Sequence, residues 1–204
     1  MLLFLDVISS LPEFLLIEDN KVVHKRKIIE KTSENLSDNI FESYIDICND
    51  YNLNNKLKKI SITIGPGSFT SLRVGAAFVS GLKISKNLLF NGFSMDDIFK
   101  FKSSEYHNKE VGIFVSSAKN QNFFCTYSKL NKVQYTKIEN ENFIIPKNLD
   151  IVLYNNINPS HLDNNIQHIK FTFPELFIDT YNRLNFTRNE IIRPLYISNN
   201  KILN

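Results

Sequence analysis

The sequence predicts an α/β protein of two lobes, each built on a mixed central sheet flanked by helices. Three observations carry this. The first thirty residues alternate short apolar runs with turn signals, residues 36–101 switch between helical and strand spacing, and a strand-rich second half starts afresh after a polar stretch.

Leu2 to Val7 is continuously apolar apart from Asp6, as in a strand buried on both faces. Ser9-Ser10-Leu11-Pro12 is a turn signal, Phe14 to Ile17 a second apolar run, and Asp19-Asn20 a tight hairpin leading to a strand from Val22 to Ile29. Thr32 or Ser33 offers an N-cap for a helix in which Leu36, Ile40, Tyr44, Ile47 and Tyr51 recur every three or four residues, ended by Asn52 to Asn55. Ile60 to Ile64 reads as a buried strand, Ser71 to Ser85 as a helix, Leu88 to Phe90 as a short strand, and Met95 to Phe101 as a helix capped by Ser94. The resulting order, βββαβαβα, is an antiparallel meander extended by crossover connections. That is the arrangement of the ribonuclease-H-like half of actin-type folds.

Polar residues from Lys102 to Glu110 read as a linker, dividing the chain into lobes at 1–102 and 103–204. Beyond it, strands are expected at Val111–Val115, Phe123–Tyr127, Val133–Ile138 and Ile151–Tyr154, then a helix from Pro174 to Leu184 and a tail.

A net charge of +3 on 204 residues is too mild to indicate a nucleic-acid binder. The one basic cluster is Lys21, His24, Lys25, Arg26 and Lys27, which reads as an edge strand protected by charge or as a contact with RNA or an acidic partner. No apolar run approaches the length that crosses a bilayer, and Asp6 interrupts the apolar start, so no membrane association is expected. Cys48 and Cys125 match no metal or redox spacing and read as buried hydrophobes of a cytoplasmic protein.

The most informative stretch is Gly65-Pro66-Gly67-Ser68-Phe69-Thr70-Ser71-Leu72-Arg73, where a strand meets a helix. Glycines let another group approach the main chain closely, and a helix N-terminus attracts anions. Asp6, Gly65, Gly67, Ser68 and Thr70 are therefore a candidate anion-binding loop, with Ser68 or Thr70 capping the helix and Asp6 capping the loop's N–H groups. The loop lacks the Gly-Lys of a P-loop, and Thr70 stands where a dinucleotide fingerprint needs glycine. Behind it, Ala76 to Ser80 and Ala77 to Gly81 give two small-xxx-small spacings, which suit close helix packing, internal or between subunits.

The run from Ile64 to Gly75, followed by Ala76-Ala77-Phe78-Val79-Ser80-Gly81-Leu82, resembles the signature of the TsaB (YeaZ) family of bacterial tRNA threonylcarbamoyladenosine biosynthesis. Thr32-Ser33-Glu34 resembles its His-Ser-Glu, Phe93-Ser94-Met95-Asp96-Asp97-Ile98 its Val-Ser-Ser-Leu segment, and Arg193-Pro194-Leu195-Tyr196-Ile197 its ending. The chain departs from the pattern at Val7 and Ile8, where a hydroxyl and a small residue are usual. It departs also at Ser71 for glycine, at Ser117-Ala118-Lys119 for Asp-Ala-Arg, and at Phe123-Phe124.

The resemblance implies a catalytically silent scaffold that pairs with a TsaD-like catalytic subunit, joined by a TsaE-like ATPase. Together they transfer a threonylcarbamoyl group to the adenosine beside the anticodon of ANN-decoding tRNAs. It implies contact through the two helices of the first lobe, with self-pairing as a homodimer through the same surface and only indirect or weak tRNA contact. On this chain the interface falls on Leu36, Ile40, Phe41, Tyr44, Leu72, Arg73, Gly75, Ala76, Ala77 and Ser80. Any ATP would be held by the partners.

Nothing in the spacing argues for catalysis. The four histidines, His24, His107, His161 and His168, include no pair four apart that could grip a metal, and His161 and His168 read as loop residues. Asp6 has no second acid at a matching strand end, whereas phosphate-bound divalent ions need at least two carboxylates. The alternative is an ATP- or anion-binding enzyme of the actin-like superfamily using the Gly65–Thr70 loop. The discriminator is surplus apolar surface: Ile40, Phe41 and Tyr44 cannot all face one core.

Overall fold

The computed structural model describes residues 1–107, 109–118, 121–127, 132–139, 143–157, 159, 166–189, 191–198 and 201–203; the side chains of 103, 198 and 201–203 are not described. Strands β1 (Leu2–Asp6), β2 (Glu13–Glu18), β3 (Lys21–Lys27), β4 (Lys59–Thr63) and β5 (Leu89–Phe93) form a first sheet in the order β3-β2-β1-β4-β5. The first three are antiparallel, with Leu3 opposite Leu16, and β4 and β5 run parallel to β1. A second sheet repeats the plan. Its order is β10-β9-β6-β7-β8, from β6 (Val111–Ser117), β7 (Gln121–Tyr127), β8 (Val133–Ile138), β9 (Ile151–Tyr154) and β10 (Gln167–Lys170). Again a three-strand meander is followed by two parallel strands. A hairpin of β11 (Tyr196–Ser198) and β12 (Lys201–Leu203) follows.

The helices are α1 (Leu36–Tyr51), α2 (Leu53–Lys56), α3 (Phe69–Lys86), α4 (Met95–Glu105) and α5 (Phe173–Thr180). Several boundaries correct the expected ones. The N-cap of α1 is Asn35, not Thr32 or Ser33, and its side chain makes no capping bond. Asn52 takes a left-handed conformation after α1, and a further turn, α2, forms where the helix was expected simply to stop. Residues 102–105 are helical rather than linker, with Lys102 and Glu105 paired at 2.6 Å one turn apart. Ser94 caps α4 as expected: it accepts from the Asp97 N–H, and the Asp97 carboxylate accepts from the Ser94 N–H at 2.9 Å. The expected 174–184 helix ends at Thr180, followed by a 3₁₀ turn over Tyr181–Arg183. Strand β10 and the final hairpin were not foreseen, and His168 lies on β10 rather than in a loop.

The basic cluster lies on β3, which is an edge strand. Lys25 pairs with Glu13 at 3.2 Å, Arg26 with Asp46, and Lys27 with Glu30 at 4.0 Å. The Arg26–Asp46 and Lys27–Glu30 pairs are solvent-exposed and contribute little stability, whereas Glu13 is nearly buried; together the three pairs give most of the cluster's charges partners within the chain. Cys48 sits on α1 and Cys125 is buried on β7, both free.

The core spans both sheets. Phe177 of α5 stacks on Phe4 of β1 at 4.0 Å and meets Phe93 of β5 edge-on at 5.4 Å, all three fully or almost fully buried. Helix α5 thus packs on the first sheet although it comes from the second half of the chain. The tail follows it back: Phe90 and Thr187 exchange backbone bonds of 2.8 and 2.9 Å, and the Leu195 N–H donates to the Ile64 carbonyl at 2.6 Å.

Candidate functional site

The β4–α3 loop is shaped by the tail that crosses it. Gly65 has φ +121°, a conformation that side chains rarely adopt, and a Cβ there would lie 2.7 Å from the Leu195 carbonyl oxygen. The group brought close to this glycine is therefore the chain's own tail. Gly67 lies against Ile8, its notional Cβ 3.4 Å from Ile8 Cγ1. Ser68 occupies the N-cap of α3 but makes no capping bond, and neither does Thr70, which is exposed on the helix; this corrects the expected cap.

Asp6 does not cap that loop. Its Oδ1 accepts from the Ile8 N–H at 2.9 Å, the Ser9 N–H at 3.4 Å and the Thr63 hydroxyl at 3.2 Å, so it organises the turn after β1. Nor is it the sole acid there: Glu13 is its register partner across β1 and β2 and salt-bridges Lys25. Asp6 is fully buried, its Oδ2 has no partner, and burial pushes its carboxyl up from 3.8. A carboxyl whose folded pKa is raised holds its proton longer folded than unfolded, so stability falls as pH rises above about 4. Asp6→Asn is expected to flatten that decline in urea midpoints measured from pH 4 to 8; an unchanged slope counts against the assignment.

Helices α1 and α3 pack side by side on one face of the first sheet. Tyr44 of α1 meets Phe78 of α3 edge-on at 5.4 Å, and both rings contact Phe14. Gly75 is the contact point between α3 and the sheet: a Cβ there would lie 2.7 Å from Val7 and 2.8 Å from Ile62. Of the residues expected at a partner interface, Leu36, Ile40, Tyr44, Leu72 and Gly75 are buried within the chain itself and cannot meet a partner directly. Phe41, Arg73 and Ala77 are exposed, and Ala76 and Ser80 half-buried.

The exposed residues of α3 fall on one face. Phe69, Arg73, Ala77 and Gly81 recur every four residues on α3, opposite its buried stripe of Leu72, Gly75, Val79 and Leu82. Large apolar side chains flank the small ones: Phe69 is 51% exposed, Ile84 82%, and on α1 Phe41 62% and Ile45 42%. Arg73 lies over the Phe69 ring at 5.2 Å, and Tyr196 of the tail meets the same ring, tilted, at 4.7 Å. Phe69, Ile45 and Ile84 were missed in the sequence; the i, i+4 pair Phe41–Ile45 and the four-residue series from Phe69 were the available signals.

Among the described residues no cluster of His, Cys, Asp or Glu could hold a metal, and no helix is long and apolar enough to cross a membrane. Lys119 and His161 lie outside the described residues.

Two lobes with the same strand plan, a meander plus two parallel strands with helices packed alongside, define an α/β protein of the actin-like class. The family model that describes TsaD, tRNA N6-adenosine threonylcarbamoyltransferase, matches residues 23–191, and the chain belongs to that family. Among solved structures, YeaZ from Pseudomonas aeruginosa shares 13% identity, covering 96% of this chain and 99% of its own, with a TM-score of 0.62. A second, described as an uncharacterized protein with similarity to peptidase YEAZ from Pseudomonas aeruginosa, shares 15% identity over 97% and 99%, with a TM-score of 0.61. No curated protein matches significantly. The family match and the full-length fold likeness support the TsaB/YeaZ resemblance read from the loop, and they connect the chain with tRNA threonylcarbamoyladenosine modification.

Proposed function

We propose that this chain is a non-catalytic subunit that binds and supports a TsaD-like enzyme in threonylcarbamoyl transfer to tRNA. The observation that carries the reading is the exposed face of α1 and α3. On α3 the exposed Phe69, Ala77, Gly81 and Ile84 share one face by helical spacing, and on α1, packed beside it, Phe41 and Ile45 are exposed one turn apart. Small residues allow close helix approach, while exposed apolar side chains gain by burial against a partner. The same face serves a homodimer when the enzyme is absent. A TsaE-like ATPase joins the pair and holds ATP with the enzyme, and this chain touches tRNA weakly or indirectly.

The alternative, an ATP- or anion-binding enzyme working through the Gly65–Thr70 loop, has less support. The tail occupies the space beside Gly65, Ile8 packs on Gly67, and Asp6 is buried in its own turn. The test is co-purification of tagged protein with the TsaD-like protein of the same genome, for wild type and Ala77→Arg. The arginine should weaken the complex at least about a hundredfold, because a charge is forced into a close-packed apolar contact. Circular dichroism should show the exposed substitution folded. A wild-type chain that forms no complex, or a variant that binds equally well, overturns the reading.

A further inference from the structure

We infer that the end of the first sheet opposite the glycine loop is a direct, weak contact for the phosphate backbone of RNA. It is built from lysines of α2, β4 and α3 and an arginine of the tail. The inference rests on the reading of the chain as a tRNA-modification subunit and makes its tRNA contact a direct one.

Strands β1, β4 and β5 run parallel, so their first residues share one rim of the sheet, while the glycine loop follows β4 at the other. Helix α3 starts at that loop and runs back, so its last turn, with Lys83 and Lys86, returns to the rim. Lys86 Nζ donates to Asn54 Oδ1 at 3.0 Å, which ties the end of α3 to α2 and to Lys56 in its last turn. Lys58 and Lys59 stand at the head of β4, with Lys59 in register with Leu2 on one side and Leu89 on the other. The antiparallel bridge between Phe90 and Thr187 brings Arg188 alongside, and Lys83, Asn87, Arg188 and Asn189 line one groove of about 360 Å³.

The charge of this rim is uncompensated. Among the described residues Lys56, Lys58, Lys59, Lys86 and Arg188 pair with no carboxylate, although Lys25, Arg26 and Lys27 on β3 all do. Glu18 and Asp19 line a neighbouring pocket with Lys58 and Lys59 without forming an ion pair, and Asp50 is exposed near the end of α1. No described carboxylate lines the groove at Lys83 and Arg188. Lysines in a last helical turn complement the helix dipole, which accounts for Lys83 and Lys86 but not for Lys58, Lys59 or Arg188. Lys59 lies over the Phe186 ring at 5.1 Å and Lys83 over the Phe90 ring at 5.5 Å, contacts that fix where two of the ammonium groups stand. Exposed amides of Asn55, Asn87 and Asn189 lie between the cations. Lysine, arginine and asparagine donors to phosphate and sugar oxygens are the usual means of holding a nucleic-acid backbone. A net charge of +3 is mild for the whole chain, but a polyanion responds to how the charge is distributed. Ile84 and Ile191 border the same groove and are exposed, so an anionic lipid surface is the competing occupant. The amides favour RNA, because they match ribose and phosphate oxygens and add nothing to insertion among lipids.

The experiment is fluorescence anisotropy of labelled, unmodified tRNA titrated with the full chain at several salt concentrations, with phosphatidylserine vesicles and polyglutamate as separate arms. Saturable, salt-dependent binding to tRNA is expected. Lys58→Gln, Lys59→Gln and Lys86→Gln combined should weaken it at least about tenfold at about 50 mM salt and flatten the slope of log affinity against log salt by about 2–3. Lys25→Gln with Lys27→Gln, where the charges already have partners, should change the affinity less than about twofold. All these side chains lie at the surface, and circular dichroism should show both variants folded. No saturable tRNA binding, an unchanged rim variant, an equal loss in the β3 variant, or tighter binding to vesicles or polyglutamate than to tRNA overturns the inference. Co-purification of the rim variant with the TsaD-like enzyme is read separately. A complex kept while tRNA affinity falls supports the rim, and tRNA binding by a chain that forms no complex overturns the subunit reading while the rim stands.

Discussion

Phe177→Ala should lower the unfolding free energy by about 3–5 kcal/mol, the usual loss for a buried phenylalanine whose cavity cannot collapse. Phe177 is fully buried between Phe4 on β1 and Phe93 on β5, with Tyr181 stacked beyond it at 5.8 Å. These partners sit on a rigid sheet, so the neighbours cannot move in to fill the space. The substitution also reports on architecture. Because α5 carries the ring from the second half of the chain onto the first sheet, losing it loosens both halves together. A single urea transition shifted to lower midpoint is expected, with unchanged slope. A loss below about 1 kcal/mol is what a surface helix would show, and it would contradict this packing.

Most of the first sheet was legible because its residues obey local rules. The apolar runs Leu2–Val7 and Phe14–Ile17 and the Asp19-Asn20 hairpin announce the meander, and both hairpin residues do take positive φ, 49° and 63°. The run from Ile64 to Leu82 could be read as a family signature, and that reading carried the fold. What stayed hidden depends on contacts distant in sequence. No local pattern says that Gly75 is needed for α3 to touch Val7 and Ile62, so it resembled its neighbours Ala76, which is half-buried, and Ala77, which is exposed. Asp6 looked like a partner for the glycine loop because both follow buried strands, yet Thr63 and the Ile8 N–H are nearer and claim it. Strand β10 was missed because four residues with two polar ends, Gln167 to Lys170, carry too short an alternation to stand out.

Gly65→Ala should release the tail. At φ +121° an alanine is strained by about 1–3 kcal/mol, and its methyl would lie 2.7 Å from the Leu195 carbonyl oxygen and 3.0 Å from Leu195 Cβ. Backbone must give way, because no flexible side-chain end is available to move. The cheapest response lifts residues 193–196 off the loop, breaking the Leu195 to Ile64 hydrogen bond, worth about 1 kcal/mol, and parting Tyr196 from Phe69. The sum is about 2–4 kcal/mol of stability, read as a lower urea midpoint, with faster tryptic cleavage after Arg188. Gly81→Ala is the contrast. A Cβ at Gly81 meets nothing within 4 Å, and in a helix interior the change should stabilise the free chain by about 0.5–1 kcal/mol. If both substitutions destabilise alike, the tail does not bear on Gly65 as described. If Gly81→Ala stabilises the chain yet weakens its complex with the TsaD-like enzyme, the glycine at that position serves the partner, just as the one at Gly65 serves the tail.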